Sequence, residues 1–257
     1  MECSAEAISA SPETLKASGL VQTEMTTPLA DARAAAVLDR LHAQDRKQFG
    51  ALVRHYLPNV ILSLLSRSSN IDATSAKEAA FLRDKLVALD RDKGHLAYML
   101  CRALDAKQAV EVGTSFGVST IYLAAALRDN AAAGSGRRTV IGSEIEPTKV
   151  AAARANLSEA GLADFVEVRE GDALVTLSGI DGPVDFVLID TWIPLALPAL
   201  KLLAPRMRRG AIVMCDNVRQ FEREYRDYTD FVRNPLNGFR SMLWPGQGGV
   251  ELSVKHA

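Results

Sequence analysis

Residues 109–120 read AVEVGTSFGVST, the pattern of a short apolar strand, a turn with two glycines and the start of a helix. The same order recurs downstream, with strands predicted at 139–145, 165–168, 186–189 and 211–214. This alternation predicts an α/β fold with a doubly wound, mostly parallel sheet. Two further apolar segments, 239–244 and 250–254, are separated by PGQGG and predict an antiparallel C-terminal hairpin. Together these segments make a Rossmann-like sheet of seven strands.

The chain before this sheet has a different pattern. Residues 1–28 are rich in Ser, Thr, Ala and Glu without sustained periodicity, and we interpret them as a flexible arm. Residues 29–104 carry apolar positions at helical spacing, for example Val37, Leu38 and Leu41, and predict three or four helices packing on the sheet domain. Residues 105–257 form the predicted ligand-binding domain.

Composition excludes several classes of protein. The chain has 257 residues, is 48% hydrophobic and carries a formal net charge of −1, so it can bury a full core and has no overall field that favours nucleic acid or an anionic membrane. Cys3, Cys101 and Cys215 are too far apart for zinc-type spacing or a disulfide framework, which favours a reducing, cytoplasmic setting. The first residues show neither a basic leader nor an apolar stretch.

Each of the five predicted parallel strands ends at, or just after, an acidic residue. The acidic residues are Glu111, Glu144, Asp172, Asp190 and Asp216. In an open α/β sheet, ligands bind beyond the carboxyl ends of the strands, so these carboxylates are expected to line one crevice. Such a crevice suits hydroxyl groups, amines and cations.

The first turn indicates which nucleotide-like ligand fits this crevice. A dinucleotide fold uses G-x-G-x-x-G, whereas here Gly113 and Gly117 are spaced G-x-x-x-G with Glu111 two residues earlier. A carboxylate at that place repels phosphate and pairs with an ammonium group, which favours the amino-acid end of S-adenosylmethionine. Glu144 is then placed to accept the ribose hydroxyls, and Asp172 to take the adenine amino group.

Five stretches resemble the class I S-adenosylmethionine-dependent methyltransferases, specifically the O-methyltransferases related to catechol and caffeoyl-CoA O-methyltransferase. They are EVGTSFGVST, GSEIEP, EGDAL, DFVLIDTW and CDNV, within a resemblance that covers about residues 87–254. The resemblance implies cofactor contacts from Leu89, Glu111, Gly113, Thr114, Ser115, Gly117, Ser119, Glu144, Ile145, Asp172, Ala173, Asp190 and Trp192. The backbone near Leu89 would receive the cofactor carboxylate, and His95 stands where the family often has Gln.

A second set of residues suggests a metal ion. Asp190, Asp216 and Asn217 would bring two carboxylates and an amide oxygen to neighbouring strand ends, an all-oxygen site that suits Mg²⁺ or another divalent cation. The family resemblance points the same way and gives Asp190 the catalytic role. The alternative is that Asp216 and Asn217 only cap the loop after the fifth strand.

The acceptor side departs from the family pattern. Catechol-type relatives have a lysine three residues after the first metal aspartate, where this chain has Ile193. Other candidates for a base are His95, Tyr225 and Tyr228. By resemblance, the acceptor pocket takes in Trp192, Asn217 and Glu251; a buried indole and an exposed hairpin carboxylate are the alternatives for Trp192 and Glu251.

These features predict an S-adenosylmethionine-dependent O-methyltransferase that acts on a hydroxyl of a small molecule with a divalent metal. The alternatives are a metal-independent carboxyl- or N-methyltransferase and a cofactor-binding protein without transferase activity. The expected partners are a small-molecule acceptor and a second copy in a homodimer, with no nucleic acid and no membrane.

Overall fold

Seven strands form one sheet in the computed structural model, which describes residues 27–66, 81, 83–132, 134 and 136–257. The strands are β1 (Gln108–Val112), β2 (Thr139–Glu144), β3 (Val166–Glu170), β4 (Val184–Ile189), β5 (Met207–Cys215), β6 (Phe239–Trp244) and β7 (Val250–Lys255). Their order is β3-β2-β1-β4-β5-β7-β6, with β1 to β5 parallel and β7 antiparallel to both β5 and β6. The predicted α/β fold, with its antiparallel C-terminal hairpin, is therefore confirmed.

Helices cover both faces of the sheet. The described helices are α1 (Ala32–Ser66), α2 (Arg91–Ala103), α3 (Val118–Ala131), α4 (Pro147–Glu159), α5 (Ala173–Thr176), α6 (Ile193–Leu203) and α7 (Arg226–Arg233). Short 3₁₀ turns at Ala163–Phe165, Ala204–Arg206 and Pro235–Asn237 connect some of them to the strands. Pro147 opens α4, where a missing N–H costs nothing, and Gly161 follows its end with a positive φ of 71°.

Alternate residues of the central strands belong to two separate cores. On one face, Ala109 of β1, Leu188 of β4 and Met214 of β5 pack under α1, α2, α3 and α4. On the other face, Val110 and Ile189 pack with α6 and α7. Because side chains alternate along a strand, Glu111 projects on the same face as Ala109, toward α3.

The N-terminal helices are joined to the sheet domain by ion pairs and buried contacts. Arg40 of α1 donates to Glu159 of α4 at 2.6 Å, and Arg91 at the start of α2 donates to Asp39 of α1 at 2.7 Å. Gly94 of α2 lies against the ring of Tyr122 in α3, where a Cβ would overlap the ring. The proposed boundary at residue 104 stays a prediction, and the arm predicted at 1–28 falls outside the described residues as far as residue 26.

In the part of the chain that the structure describes, no helix combines the length and the apolar character needed to cross a membrane.

Candidate active site

The turn after β1 lies so close to the end of β4 that its first residue, Gly113, has no room for a Cβ atom. Gly113 has a φ of 97°, and a Cβ there would overlap the carbonyl oxygen of Asp190. Ser115 also adopts a left-handed conformation, with φ 49°, and Gly117 starts α3 with φ 85°. Non-glycine residues pay for this conformation, and such strain clusters at ligand sites. The turn lies between β1 and β4, where the strand order reverses and ligands bind in folds of this kind.

Glu144 is held rigidly at the carboxyl end of β2. Its Oε2 accepts a hydrogen bond from the backbone N–H of Ser115 at 2.8 Å, and its Oε1 accepts one from the N–H of Glu146 at 2.9 Å. Each carboxylate oxygen has a second lone pair. The carboxylate is therefore fixed in place and still able to accept from two ligand hydroxyls.

Glu111 is fully buried beneath the start of α3. The hydroxyl of Thr120 donates to its Oε2 at 2.5 Å, while Oε1 is buried without a hydrogen-bond partner among the described residues. Burial raises the pKa of Glu111, and the negative charge of Glu144 raises it further. An ammonium group would satisfy this carboxylate, but the Glu111 side chain is enclosed beneath the turn and has no exposed surface.

The other residues predicted to bind the cofactor surround the same strand ends. Asp172 caps α5 by accepting from the N–H of Leu174 at 2.7 Å, and Ala173 is buried beside it. Ile145 is 61% exposed and Trp192 is 37% exposed, so both side chains are accessible at the carboxyl ends of the strands. The remaining members of the predicted set lie in or next to the first turn and before α2: Leu89, Gly113, Thr114, Ser115, Gly117 and Ser119.

The second predicted set is also brought together. The N–H of Asp216 donates to the carbonyl of Ile189 at 3.0 Å, so Asp190 and Asp216 leave adjacent strand ends. Asn217 has a left-handed backbone with φ 60°, and its N–H donates to Asp216 Oδ1 at 2.7 Å. Loss of hydration raises the pKa of both Asp190 and Asp216, and the Asp216 charge adds to the effect on Asp190.

Lys93 of α2 enters this acidic cluster, and sequence reasoning did not anticipate it. Its Nζ is 2.5 Å from Asp216 Oδ1 and 3.5 Å from Asn217 Oδ1, and the side chain is only 3% exposed. The signal was present in the helical periodicity, because Lys93 shares its face of α2 with the buried residues Ala97 and Cys101. A charged residue on the buried face of an amphipathic helix is almost always paired with a group of opposite charge.

This arrangement does not fit a divalent cation. The Lys93 ammonium is in direct contact with the carboxylate that would have to bind the ion, and two cations at that distance repel strongly. The Mg²⁺ site inferred from Asp190, Asp216 and Asn217 thus has a protein cation in contact with two of its three side chains.

Glu251 lies on the other face of the sheet from Asp216. It pairs with Cys215 across β5 and β7, and its carboxylate accepts from Arg233 at 2.8 and 2.7 Å and from the Ser241 hydroxyl at 2.6 Å. The side chain is completely buried. These contacts favour a structural role, and a contact of Glu251 with an acceptor stays a prediction.

Two of the three alternative bases are buried phenols. Tyr225 and Tyr228 are buried in the same core as Cys215, and burial raises the pKa of both phenols well above the usual range. His95 lies 3.4 Å from the Thr27 hydroxyl, and burial lowers its pKa. Ile193 begins α6 and has no group that takes a proton.

A groove of about 610 Å³ lies at the opposite edge of the sheet. Lys107, Gln108, Thr139 and Asp185 line it, and they stand at the amino ends of β1, β2 and β4. The lining includes none of the residues predicted to bind cofactor, metal or acceptor. The groove is therefore separate from the residues predicted to bind ligands at the carboxyl ends of the strands.

Comparisons with known proteins agree with this geometry. Residues 110–218 match a family model described as a methyltransferase domain. Catechol O-methyltransferase of Mycobacterium tuberculosis is 37% identical over 147 residues, which cover 57% of this chain and 63% of the relative. Caffeoyl-CoA O-methyltransferase 1 of Eucalyptus globulus is 25% identical over 162 residues, covering 56% of this chain and 63% of the relative. The chain thus spans about three fifths of the length of these curated relatives.

A solved structure shares the fold. The O-methyltransferase TomG from Streptomyces achromogenes, in complex with SAM, aligns with a TM-score of 0.60 at 24% identity, over 77% of this chain and 96% of that one. The structure thus shares the fold of that O-methyltransferase, and residues 110–218 match a methyltransferase domain. In sequence the chain resembles the catechol and caffeoyl-CoA O-methyltransferases, as the sequence motifs predicted.

Proposed function

We propose that this protein transfers a methyl group from S-adenosylmethionine to a hydroxyl oxygen of a small molecule. The observation that carries the proposal is the Glu144 carboxylate, fixed by two backbone N–H groups at the point where the strand order reverses. A carboxylate held there selects a ribose and rejects a phosphate. S-adenosylmethionine supplies an activated methyl group on a sulfonium ion.

In this proposal, different residues of the crevice bind different groups of the cofactor. Glu144 would hold the ribose hydroxyls, Glu111 would supply negative charge below the amino-acid end, and Asp172 would receive the adenine amino group. Exposed Ile145 and Trp192 would enclose the adenine from its sides and exclude water. Methyl transfer by displacement depends chiefly on alignment of the two reacting atoms, which a rigid crevice provides.

A divalent metal is not included in this proposal, because Lys93 already fills the acidic cluster. We place the protein in the cytoplasm, acting on a small-molecule acceptor as a possible homodimer, with no nucleic-acid or membrane partner. Metal-independent methylation of a carboxylate or an amine remains the alternative reaction, and cofactor binding without transfer is the alternative function.

Calorimetric titration with S-adenosylhomocysteine tests the cofactor site. Replacing Glu144 by Gln removes the charge and one acceptor, so we expect the dissociation constant to rise by roughly 10- to 100-fold, as for loss of a charged hydrogen bond. Glu224→Gln, at an exposed position outside the set of residues predicted to bind the cofactor, is the matched control and should bind like the parent. Equal affinity in the parent and in Glu144→Gln would contradict the assigned site.

The reaction itself is tested by following S-adenosylhomocysteine formation with phenols, carboxylic acids and amines. Turnover confined to phenols supports O-methylation, and turnover confined to acids or amines supports the alternative reaction. Tight cofactor binding with no turnover across the panel would instead indicate a binding protein.

A further inference from the structure

Lys93 places a positive charge at the point where the strand ends converge. Its Nζ contacts Asp216 Oδ1 at 2.5 Å and lies 3.5 Å from Asn217 Oδ1, with 3% of the side chain exposed. Burying a lysine costs the hydration of its charge, and lysines are almost never buried without a partner. The cation is therefore a fixed and buried part of the candidate site.

An ammonium group has three N–H donors and, unlike a metal ion, does not need a full set of coordinating ligands. In the described part of the chain, the Lys93 contacts with Asp216 and Asn217 account for two of these donors. The third donor remains for an oxygen atom that enters the crevice. Asp190 stands at the end of the neighbouring strand, next to Asp216.

On the basis of the methyltransferase function proposed above, we propose that the Lys93 ammonium replaces a divalent ion as the fixed cation of this site and contacts the acceptor oxygen directly. The protein then methylates hydroxyls without a metal. A metal ion binds two neighbouring oxygens of one acceptor, whereas a single N–H donor binds one, so a second, adjacent hydroxyl is not needed.

The balanced reaction favours an acidic hydroxyl. The acceptor oxygen forms a bond to the methyl carbon while the carbon–sulfur bond breaks, and the electron pair of that bond stays on sulfur to give S-adenosylhomocysteine. The hydroxyl proton leaves to solvent water, and the Lys93 N–H stabilises the negative charge that develops on oxygen. A singly charged ammonium stabilises an oxyanion less than a divalent ion does, so phenols, with a pKa of about 10, suit the site better than aliphatic alcohols.

Manganese binding tests the replacement without any acceptor. We expect the parent to show no Mn²⁺ site by electron paramagnetic resonance titration, and Lys93→Ala, which uncovers Asp190, Asp216 and Asn217, to bind about one ion per chain. Lys107→Ala, which removes an exposed lysine, is the matched control and should behave like the parent. A stoichiometric Mn²⁺ site in the parent, or none in folded Lys93→Ala, would overturn the proposal.

Turnover of 4-methylphenol and 4-methylcatechol tests the contact with the acceptor. We expect the parent to methylate both, with a rate that EDTA changes by less than about twofold. Lys93→Ala should lower kcat by roughly 100-fold, as for loss of an oxyanion donor, while its affinity for S-adenosylhomocysteine stays within about threefold. Lys93→Arg keeps a cation and should retain more activity than the alanine variant.

The failures of the two proposals are distinguishable. Activity that EDTA abolishes and Mg²⁺ restores would overturn the role of Lys93 and leave the methyltransferase function intact. Absence of S-adenosylhomocysteine binding would overturn the proposed function, while the manganese titration would still decide the role of Lys93. The manganese and chelator measurements on the parent hold even where Lys93→Ala fails to fold.

Discussion

Gly113 is restricted to glycine by two separate constraints. Its φ of 97° lies in the region that L side chains avoid, and the space a Cβ would need belongs to the Asp190 carbonyl oxygen. The sequence predicted both glycines of this turn from their spacing. The close approach to β4 could not be predicted, because it depends on how far apart the two strand ends lie in the folded sheet.

Gly113→Ala should therefore destabilise the fold. We expect a loss of about 3 kcal/mol in the free energy of unfolding, from backbone strain plus displacement of the Asp190 carbonyl. Gly179→Ala is the control, since a Cβ there meets nothing within 4 Å. Urea titration of both variants measures the difference, and an equal, small effect in the two would contradict the packing described for this turn.

The contact of Lys93 with Asp216 could not be predicted from local sequence patterns. The strand-end carboxylates could be found because parallel strands bring their ends to one edge, whatever the details of packing. Lys93 comes from a helix that precedes the sheet, so its approach to Asp216 depends on how α2 docks on α3, through contacts such as Gly94 against Tyr122. Long-range docking of this kind leaves only a weak signal, a lysine on the buried face of a helix.

At the scale of elements, the register of the C-terminal hairpin determines on which face of the sheet Glu251 lies. The sequence predicted both strands and the antiparallel edge, and the structure confirms them. It could not fix the register, and a shift of one residue moves a side chain to the other face of a sheet. In the observed register, Glu251 faces Arg233 of α7 and lies away from Asp216.

Glu251→Gln should lower stability and spare catalysis. Removing the Glu251 charge should cost about 1 kcal/mol, because the buried carboxylate loses charged hydrogen bonds while the half-exposed Arg233 regains water. We expect kcat/KM of the folded variant to stay within about twofold of the parent. Urea titration and steady-state kinetics measure both quantities. A large fall in kcat/KM without loss of stability would instead support the acceptor contact predicted from family resemblance.

Helix α1 docks on α3 through a buried histidine. His42 lies 3.4 Å from the Tyr122 hydroxyl, and burial, with the charges of Arg91 and Arg46, lowers its pKa to about 4 from an ordinary value of 6.5. The unfolded chain thus binds a proton at His42 below about pH 6.5, whereas the folded chain binds it only below about pH 4. The stabilisation from neutral His42 is complete above the upper value and declines as the pH falls between the two.

We expect the parent to lose about 2 kcal/mol more stability than His42→Gln between neutral pH and about pH 4, because only the parent must exclude that proton. Urea titrations at a series of pH values measure the difference between the two proteins. Parallel pH profiles would show that His42 is not held neutral by the helix contact.

For the molecule as a whole, the fold was more predictable than the site. Strand and helix alternation, and the polar residues at strand ends, depend on local pattern and on rules of chain connection. The largest displacement of a strand boundary is at β5, which starts at Met207 and not at residue 211, and its pairing with β4 is irregular there. The site combines residues from the N-terminal helices and from the sheet, and only the fold brings these together.

A crystal structure with S-adenosylhomocysteine, prepared in the presence of EDTA, tests the central claim most directly. We expect the ribose hydroxyls to lie about 3 Å from the Glu144 carboxylate, with the sulfur directed toward the cluster of Lys93, Asp190 and Asp216 and with the contact between Lys93 and Asp216 retained. A nucleoside bound elsewhere, for example in the groove at the amino ends of the strands, would contradict the claim that these strand-end carboxylates hold the methyl donor.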